Sequence, residues 1–296
     1  MSRDSRDHYR PVLHLRHFAD ESGLLWGYDR SGTTAPFRQI APNVGFEKGL
    51  YTIVEPLDGD PGALEAWLAE HIDGPAAHAL DKLADDRPMT NADHSAVAAF
   101  IAAQDMRTPR ARDQVLTIYR AGLGDQWEQW RANPAGVADA IARDFGTRPS
   151  ETELLEMLNE YEITVTPNAW LDSFASWVNK GGQRIHRMRW LRAYAPSGEG
   201  FVTSDVGIVK CRGRVDAFMD WEMGFAGGRD IWIFPLKAEV CLVIVPTGGP
   251  NVSGTCKPEW LRAVNRHMWA DAHRWVFSRR ALPLGGPSDG AAAVGS

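Results

Sequence analysis

The chain has 296 residues, 44% of them hydrophobic and 24% charged, a globular composition with length enough to bury a sizeable core in one large domain or two small ones. Its net charge of −6 argues against a general nucleic-acid binder, because affinity for phosphate backbones comes from clustered Lys and Arg. Cys211, Cys241 and Cys256 are odd in number and widely spaced with no C-x-x-C, so neither a disulfide framework nor a zinc site is favoured, which fits a cytoplasmic location.

Residues 1–7 are charged, carry no apolar leader and read as a loose arm. Pro11 to Phe18 reads as a first helical turn, since Pro is tolerated at the first helical position. Leu24 to Asp29 reads as a strand closed by a turn at Asp29-Arg30-Ser31-Gly32, and Leu50 to Val54 as a second short strand. Leu64, Trp67, Leu68, His71 and Ile72 fall at helical spacing. Thr90 with Asp93 forms a capping pair ahead of Val97, Phe100, Ile101 and Gln104. Residues 111–178 continue as helix, with interruptions expected at Gly122, Gly124, Pro134, Pro149 and Pro167.

The period then changes. Arg187 to Leu191 alternates in polarity as a half-buried strand would, and Phe201 to Val209 is a further strand. Ile231 to Phe234 and Val240 to Val245 are two more, joined by a turn at Leu236 to Glu239, and Asn251 to Lys257 reads as loop. Pro258 starts a last helix whose one face holds Leu261, Val264, Met268, Ala272, Trp275 and Val276. No stretch approaches the roughly 18 apolar residues of a membrane helix, so no membrane partner is expected. The expected fold is α+β: a helical middle, a mostly antiparallel sheet in the second half and a C-terminal helix, in one domain over 8–280 with disordered tails at 1–7 and 281–296.

Candidate chemistry sits where polar groups border apolar runs. His8, ahead of Pro11, could be a general acid or base, or a ligand to an anion or metal; a helix-capping role fits equally well. His14 and His17 read as solvent-facing, because no third metal ligand stands at a diagnostic spacing. Gln104 lies on the apolar face of its helix, where an unsatisfied amide would cost about 1–3 kcal/mol. Arg107 and Arg110 flank Thr108-Pro109 and suit bidentate capture of a carboxylate or phosphate, with a helix-dipole and salt-bridge role standing beside that for Arg110. Ser204 has no nucleophile elbow around it, and Asp205 could pair with an Arg, bind a metal, act as a base or close a turn. Lys180 to Arg192 is the one basic stretch with the density a polyanion needs, and a solvated sheet face accounts for it equally.

These phrases occur together and in order: His8-x-x-Pro11 followed by Leu15 and Phe18, Gln104-x-x-Arg107-Thr108-Pro109-x-x-Arg112, Phe201-x-Thr203-Ser204-Asp205, Pro235-Leu236, and the helix from Asn265 to Val276. In them the chain resembles the uncharacterised bacterial family known as domain of unknown function 4238, over roughly residues 8–280 with little contribution from 115–185. It departs at Val206-Gly207, where the family tends to carry a Pro-containing step, and at His14, where it tends to carry an aromatic. The resemblance implies a single domain and a shared pocket, and no particular reaction. Two readings follow. In the first, a hydrolase acts on a phosphate-containing or nucleic-acid substrate, with His8 and Asp205 catalytic, Gln104, Arg107, Arg110 and Ser204 binding a small anionic ligand or nucleic acid, and a divalent metal as one cofactor such a site could use. In the second, a binding or regulatory protein of a stress or phage-response system uses the same residues as a polar network.

Overall fold

The computed structural model describes residues 6–54, 60–162, 164–213, 229–246 and 251–283. Of the expected tails at 1–7 and 281–296, residues 1–5 and 284–296 lie outside the described residues. In chain order the elements are β1 (Arg6–His8), α1 (Val12–Leu15, running into a 3-10 turn at Arg16–Phe18), β2 (Leu24–Asp29), β3 (Phe37–Ile40) and β4 (Phe46–Lys48). Helices follow: α2 (Ala63–Leu68), a π-helical turn (Ala69–Asp73), α3 (Gly74–Ala84), α4 (Asn91–Met106), α5 (Pro109–Ala132), α6 (Pro134–Phe145), α7 (Glu151–Glu160) and α8 (Asn168–His186). The rest comprises β5 (Arg189–Tyr194), β6 (Thr203–Ser204), β7 (Val209–Gly213), β8 (Arg229–Lys237), β9 (Val240–Val245), β10 (Val252–Thr255), α9 (Pro258–Asp271) and β11 (Trp275–Ser278). The fold is α+β with largely antiparallel sheets.

A five-stranded sheet of order β10-β5-β9-β8-β7 is covered on both faces, its only parallel pair being β10 with β5. Alternation divides its side chains. Trp190, Trp232, Phe234, Leu242 and Ile244 face the helical core of α3, α4 and α8, while Leu191, Ile231, Ile233, Cys241 and Val243 face α9 through Trp260, Leu261, Val264 and Met268. With both faces buried, β9 needs no polar position, so its sequence is an unbroken apolar run. A second, four-stranded sheet of order β3-β2-β11-β6 joins the two ends of the chain.

Local signals set the helix boundaries. Thr90 and Asp93 form a reciprocal capping box on α4, as the sequence implies, and Ser150 with Glu153 forms another on α7. Thr108 caps α5 by accepting from the Ala111 N–H, with Pro109 at its first position. Gly122 and Gly124 do not interrupt α5, because a single glycine in a long helix costs only about 1 kcal/mol.

Several expectations are corrected. Arg6 and Asp7, expected in a loose arm, pair in β1 with Lys48 and Glu47. Leu50 to Val54, expected as a strand, is turn and irregular chain, with the Tyr51 N–H donating to the Asp7 carboxylate rather than to a ladder. Phe201 to Val209 is broken into two strands by a turn at Asp205 to Ile208, and Val252 to Thr255 is a strand, not a loop.

The last helix ends at Asp271, and Trp275 and Val276 belong to β11 between β2 and β6. Asp205 accounts for that change. Its carboxylate accepts from the backbone N–H groups of His273 (2.8 Å), Arg274 (2.6 Å) and Trp275 (2.8 Å), donors that a continuing helix would direct at its own carbonyls. Replacing Asp205 by Ala should therefore lower unfolding free energy by about 2–4 kcal/mol, and Asn, which keeps one acceptor oxygen, by less. Denaturant melts measure this, and a loss below about 1 kcal/mol for Asp205→Ala would remove the clamp from the account.

Candidate functional site

The centre of the molecule holds two arginines withdrawn from water. Arg10 is fully buried and Arg107 is 1% exposed. Arg10 stands two residues beyond the end of β1, and its backbone N–H donates to Gly45 O at 3.0 Å. Its Nη2 donates to His14 Nδ1 at 2.7 Å and to Thr203 Oγ1 at 2.9 Å. His14 Nε2 in turn lies 2.8 Å from the Pro235 carbonyl, at the irregularity where β8 shifts register against β9. A guanidinium only donates and a carbonyl only accepts, so His14 is neutral with its proton on Nε2. Burial, then the Arg10 charge, holds this imidazole well below its ordinary range. His14 is thus a core residue, not the solvent-facing one expected, while His17 is partly exposed beside Asp81.

Arg107 caps the end of α4, where the chain turns into α5. Its Nη1 reaches both carboxylate oxygens of Asp73, at 3.1 and 3.3 Å, and Asp73 ends the π-helical turn. The Tyr51 hydroxyl donates to the Arg107 carbonyl at 3.0 Å. Gln104, one turn earlier on the same face, donates through Nε2 to the Tyr9 carbonyl at 2.9 Å. Because that partner is a carbonyl, the amide orientation follows from the bond. Aromatic rings link the two arginines: the Arg10 Cζ lies 6.0 Å from the Phe234 ring, the Arg107 Cζ 5.9 Å from Phe100, and the two rings are 6.3 Å apart.

The satisfaction of these groups is incomplete. Arg10 Nε and Nη1, Arg107 Nε and Nη2, and Gln104 Oε1 are buried with no hydrogen-bond partner among the described residues. Four are donors on permanent cations and one is an acceptor. Arg107 has Asp73 as a counter-ion, while Arg10 forms no ion pair among the described residues. Burial first, then the neighbouring Arg107 charge, pushes the Arg10 guanidinium down to about 9, so it remains cationic at neutral pH. Near Arg107, burial followed by Asp7 pushes Glu65 up to about 7.

The other residues singled out in the sequence face elsewhere. His8 is half-buried, with Nε2 3.2 Å from Pro42 O and its ring against Phe46. Ser204 accepts from the Gly207 N–H at 3.1 Å, and Asp205 is the clamp described above. Arg110 reaches the Asp271 carbonyl at the end of α9 (2.8 Å), a helix-end role on a different helix from its own. The structure therefore brings Gln104 and Arg107 together and adds Arg10, His14, Tyr51 and Asp73, which sequence reasoning missed. Arg10 carried no signal of its own, since an arginine beside a proline is ordinary on a surface.

Both departures from the resembled family pattern touch Arg10. His14 accepts its hydrogen bond, and a Cβ on Gly207 would stand 2.0 Å from Arg10 Nη1. Gly207 also holds φ at +75°, a region that suits glycine. Among the described residues no three His, Cys, Asp or Glu side chains cluster to hold a metal. A cavity of about 350 Å³ lies elsewhere, between Gly198–Val202, α9 and Ser278–Pro283. Two of its polar side chains are engaged, the Asn265 amide bridging Val202 N and Gly200 O and Arg279 bonding His17 O and Ala19 O. The buried centre, by contrast, is unsatisfied.

Over residues 6–281 the chain matches the family described as protein of unknown function DUF4238, and it belongs to that family. No curated protein matches it. No solved structure matches it either. Among the described residues no helix is long and apolar enough to cross a membrane.

Two outcomes test this geometry. Gly207→Ala should cost about 2 kcal/mol or more, and the cost should shrink in an Arg10→Ala background, where only the backbone conformation opposes the methyl. Strict additivity in denaturant melts would contradict the contact. Glu65 supplies the second. With its folded-state value raised to about 7, the native state binds more protons than the unfolded chain between about pH 4.3 and 7, so unfolding free energy falls as pH rises through that window. Glu65→Gln should remove that fall, making the variant more stable relative to wild type at pH 8 than at pH 5. An unchanged difference between the two pH values would sink the assignment.

Proposed function

We propose that this protein binds a small oxyanion and is not a hydrolase, with Arg10, Arg107 and Gln104 forming the receptor. The observation that carries this reading is the set of four buried guanidinium nitrogens and one amide oxygen without hydrogen-bond partners among the described residues. Buried cations are normally paired, and one fully desolvated guanidinium here, Arg10, forms no ion pair among the described residues, with Asp205 acting on it only through space. A ligand with at least two acceptor oxygens would take the guanidinium donors, and an O–H on it would serve Gln104 Oε1. A protonated phosphate or a hydroxy-carboxylate meets both requirements. Nucleic-acid phosphodiesters fit less well, because they lack that donor and are too large for a centre sealed from solvent.

Binding is favoured over turnover by the state of the remaining groups. Neither ring nitrogen of His14 is available, the Asp205 carboxylate holds three backbone donors, and the Ser204 hydroxyl holds a fourth, so none is poised to activate a nucleophile. The receptor instead joins three parts of the fold: the N-terminal arm through Arg10, the α4–α5 elbow through Arg107, and the two sheets through Thr203 and Pro235. Occupancy would tighten all three, which suits a regulatory protein more than an enzyme.

Thermal melts in inorganic phosphate, sulfate and citrate test the reading. At a hundredfold excess over Kd, a ligand specific to the native state adds about 2.7 kcal/mol, or about 4 °C for a chain of this size. The shift should disappear in Arg10→Met and in Arg107→Gln and survive in His8→Ala. Equal shifts in wild type and both arginine variants would reject the receptor. Phosphate release from a phosphoester that stops in Arg107→Gln would replace it with the hydrolase reading.

A further inference from the structure

Helices α4 and α8 approach each other closely. A Cβ on Gly182 would stand 3.3 Å from the Ala99 Cα, and one on Gly181 3.2 Å from the Ala102 Cβ, so two glycines in α8 let the helices come together. That approach carries the first turn of α4 to the last turn of α8, where two imidazoles meet. His94 Nδ1 lies 3.3 Å from His186 Nδ1, and Ser95 Oγ lies 3.3 Å from the same His186 nitrogen. The His94 ring stacks on Trp190, with centroids 3.7 Å apart and 23° between the planes. Trp190 is itself fixed, buried in the core and donating through Nε1 to the Ile185 carbonyl at 3.0 Å. The platform under His94 is thus tied to the residue before His186.

The spacing of the two nitrogens points to what they can hold. It is longer than the roughly 2.7–3.2 Å typical of an N–H donor, and His186 Nδ1 has one lone pair for two neighbours. Two nitrogens bound at about 2.0–2.1 Å to a tetrahedral ion stand about 3.3–3.4 Å apart, which matches. Burial first, then the His186 neighbour, pulls the His94 imidazole below its ordinary range, so it is neutral at neutral pH. Imidazole suits zinc, copper and nickel rather than magnesium or calcium. The adjacent carboxylate, Asp93, is committed to Lys82 and to the Thr90 cap. His186 and Ser95 line a groove of about 490 Å³ between the π-helical turn and helices α4 and α8, which leaves room for water on the ion. Arg187 lines the same groove but is exposed, so water and salt screen its charge.

We propose that His94 and His186 form a site for a borderline divalent metal ion, zinc foremost, held by the two Nδ1 atoms with water completing its coordination on the groove side. Ser95 Oγ stands beside it to hold that water. The site shares no residue with the buried arginines, so it stands or falls independently of the anion receptor. With two protein ligands, its affinity should be micromolar. The test titrates the full chain, stripped of metal by a chelator, with zinc chloride against a chromogenic zinc indicator. Zinc should bind and raise the melting temperature, and magnesium should do neither. Affinity should fall at least tenfold in His94→Gln and in His186→Gln and stay unchanged in His71→Gln, with circular dichroism melts showing that each variant folds. Zinc-edge X-ray absorption of the wild type at one equivalent should show two imidazole ligands, a readout that depends on no variant. No zinc binding, unchanged affinity in both histidine variants, or fewer than two imidazoles on the bound ion would overturn the proposal.

Discussion

A guanidinium removed from water must recover its solvation from fixed groups around it, and Arg10 recovers only part. One of its nitrogens is served by His14 and Thr203, its cationic face rests near Phe234, and its other two nitrogens are left over. Much of the surrounding architecture answers to that constraint. The glycine at 207 leaves room for the guanidinium, the one at 45 lets the backbone pass close to the Arg10 Cβ, and the register shift near Pro235 frees a carbonyl to hold His14 in its neutral form. The result joins segments far apart in sequence. Arg10 sits on the N-terminal arm, Thr203 and Pro235 on two sheets, and Arg107 on the elbow between two helices.

Such a centre makes sense energetically if its charge is used. A buried cation without a partner costs more than its packing returns, and an apolar residue of similar volume would be the simpler way to fill that space. On the proposed reading, the incomplete pairing of both arginines and of Gln104 serves recognition of an anion. Asp73 and Glu65 refine the balance: one neutralises Arg107 directly, and the other is held near neutrality by burial, so the local charge stays positive without becoming prohibitive.

How much of this was legible in the sequence differs by element. Helices with a capping signal, such as α4 with Thr90 and Asp93, could be read directly, and so could the apolar runs of β8 and β9, because local chemistry determines both. The boundary between α9 and β11 could not be read. Its apolar periodicity continues through Trp275 and Val276, and what stops the helix is the Asp205 carboxylate, about seventy residues away in sequence. The site divides in the same manner. Gln104 and Arg107 announced themselves as polar groups on an apolar helix face, whereas Arg10 and His14 looked like ordinary surface residues. Only the packing of α1 against the sheet, a long-range event, carries them inside. His8, Ser204 and Arg110 also stand within the motif phrases at the edges of apolar runs, and the fold turns each toward a different partner.

The most direct measurement is a crystal structure of the full chain grown with selenate or bromide, with anomalous scattering used to locate the ion. An anomalous peak within hydrogen-bond distance of Arg10 Nη1 or Nε and of Arg107 Nη2 or Nε is the result this account predicts. Ordered water alone at those nitrogens, with anions only on the protein surface, would contradict it and leave the buried arginines as a structural network.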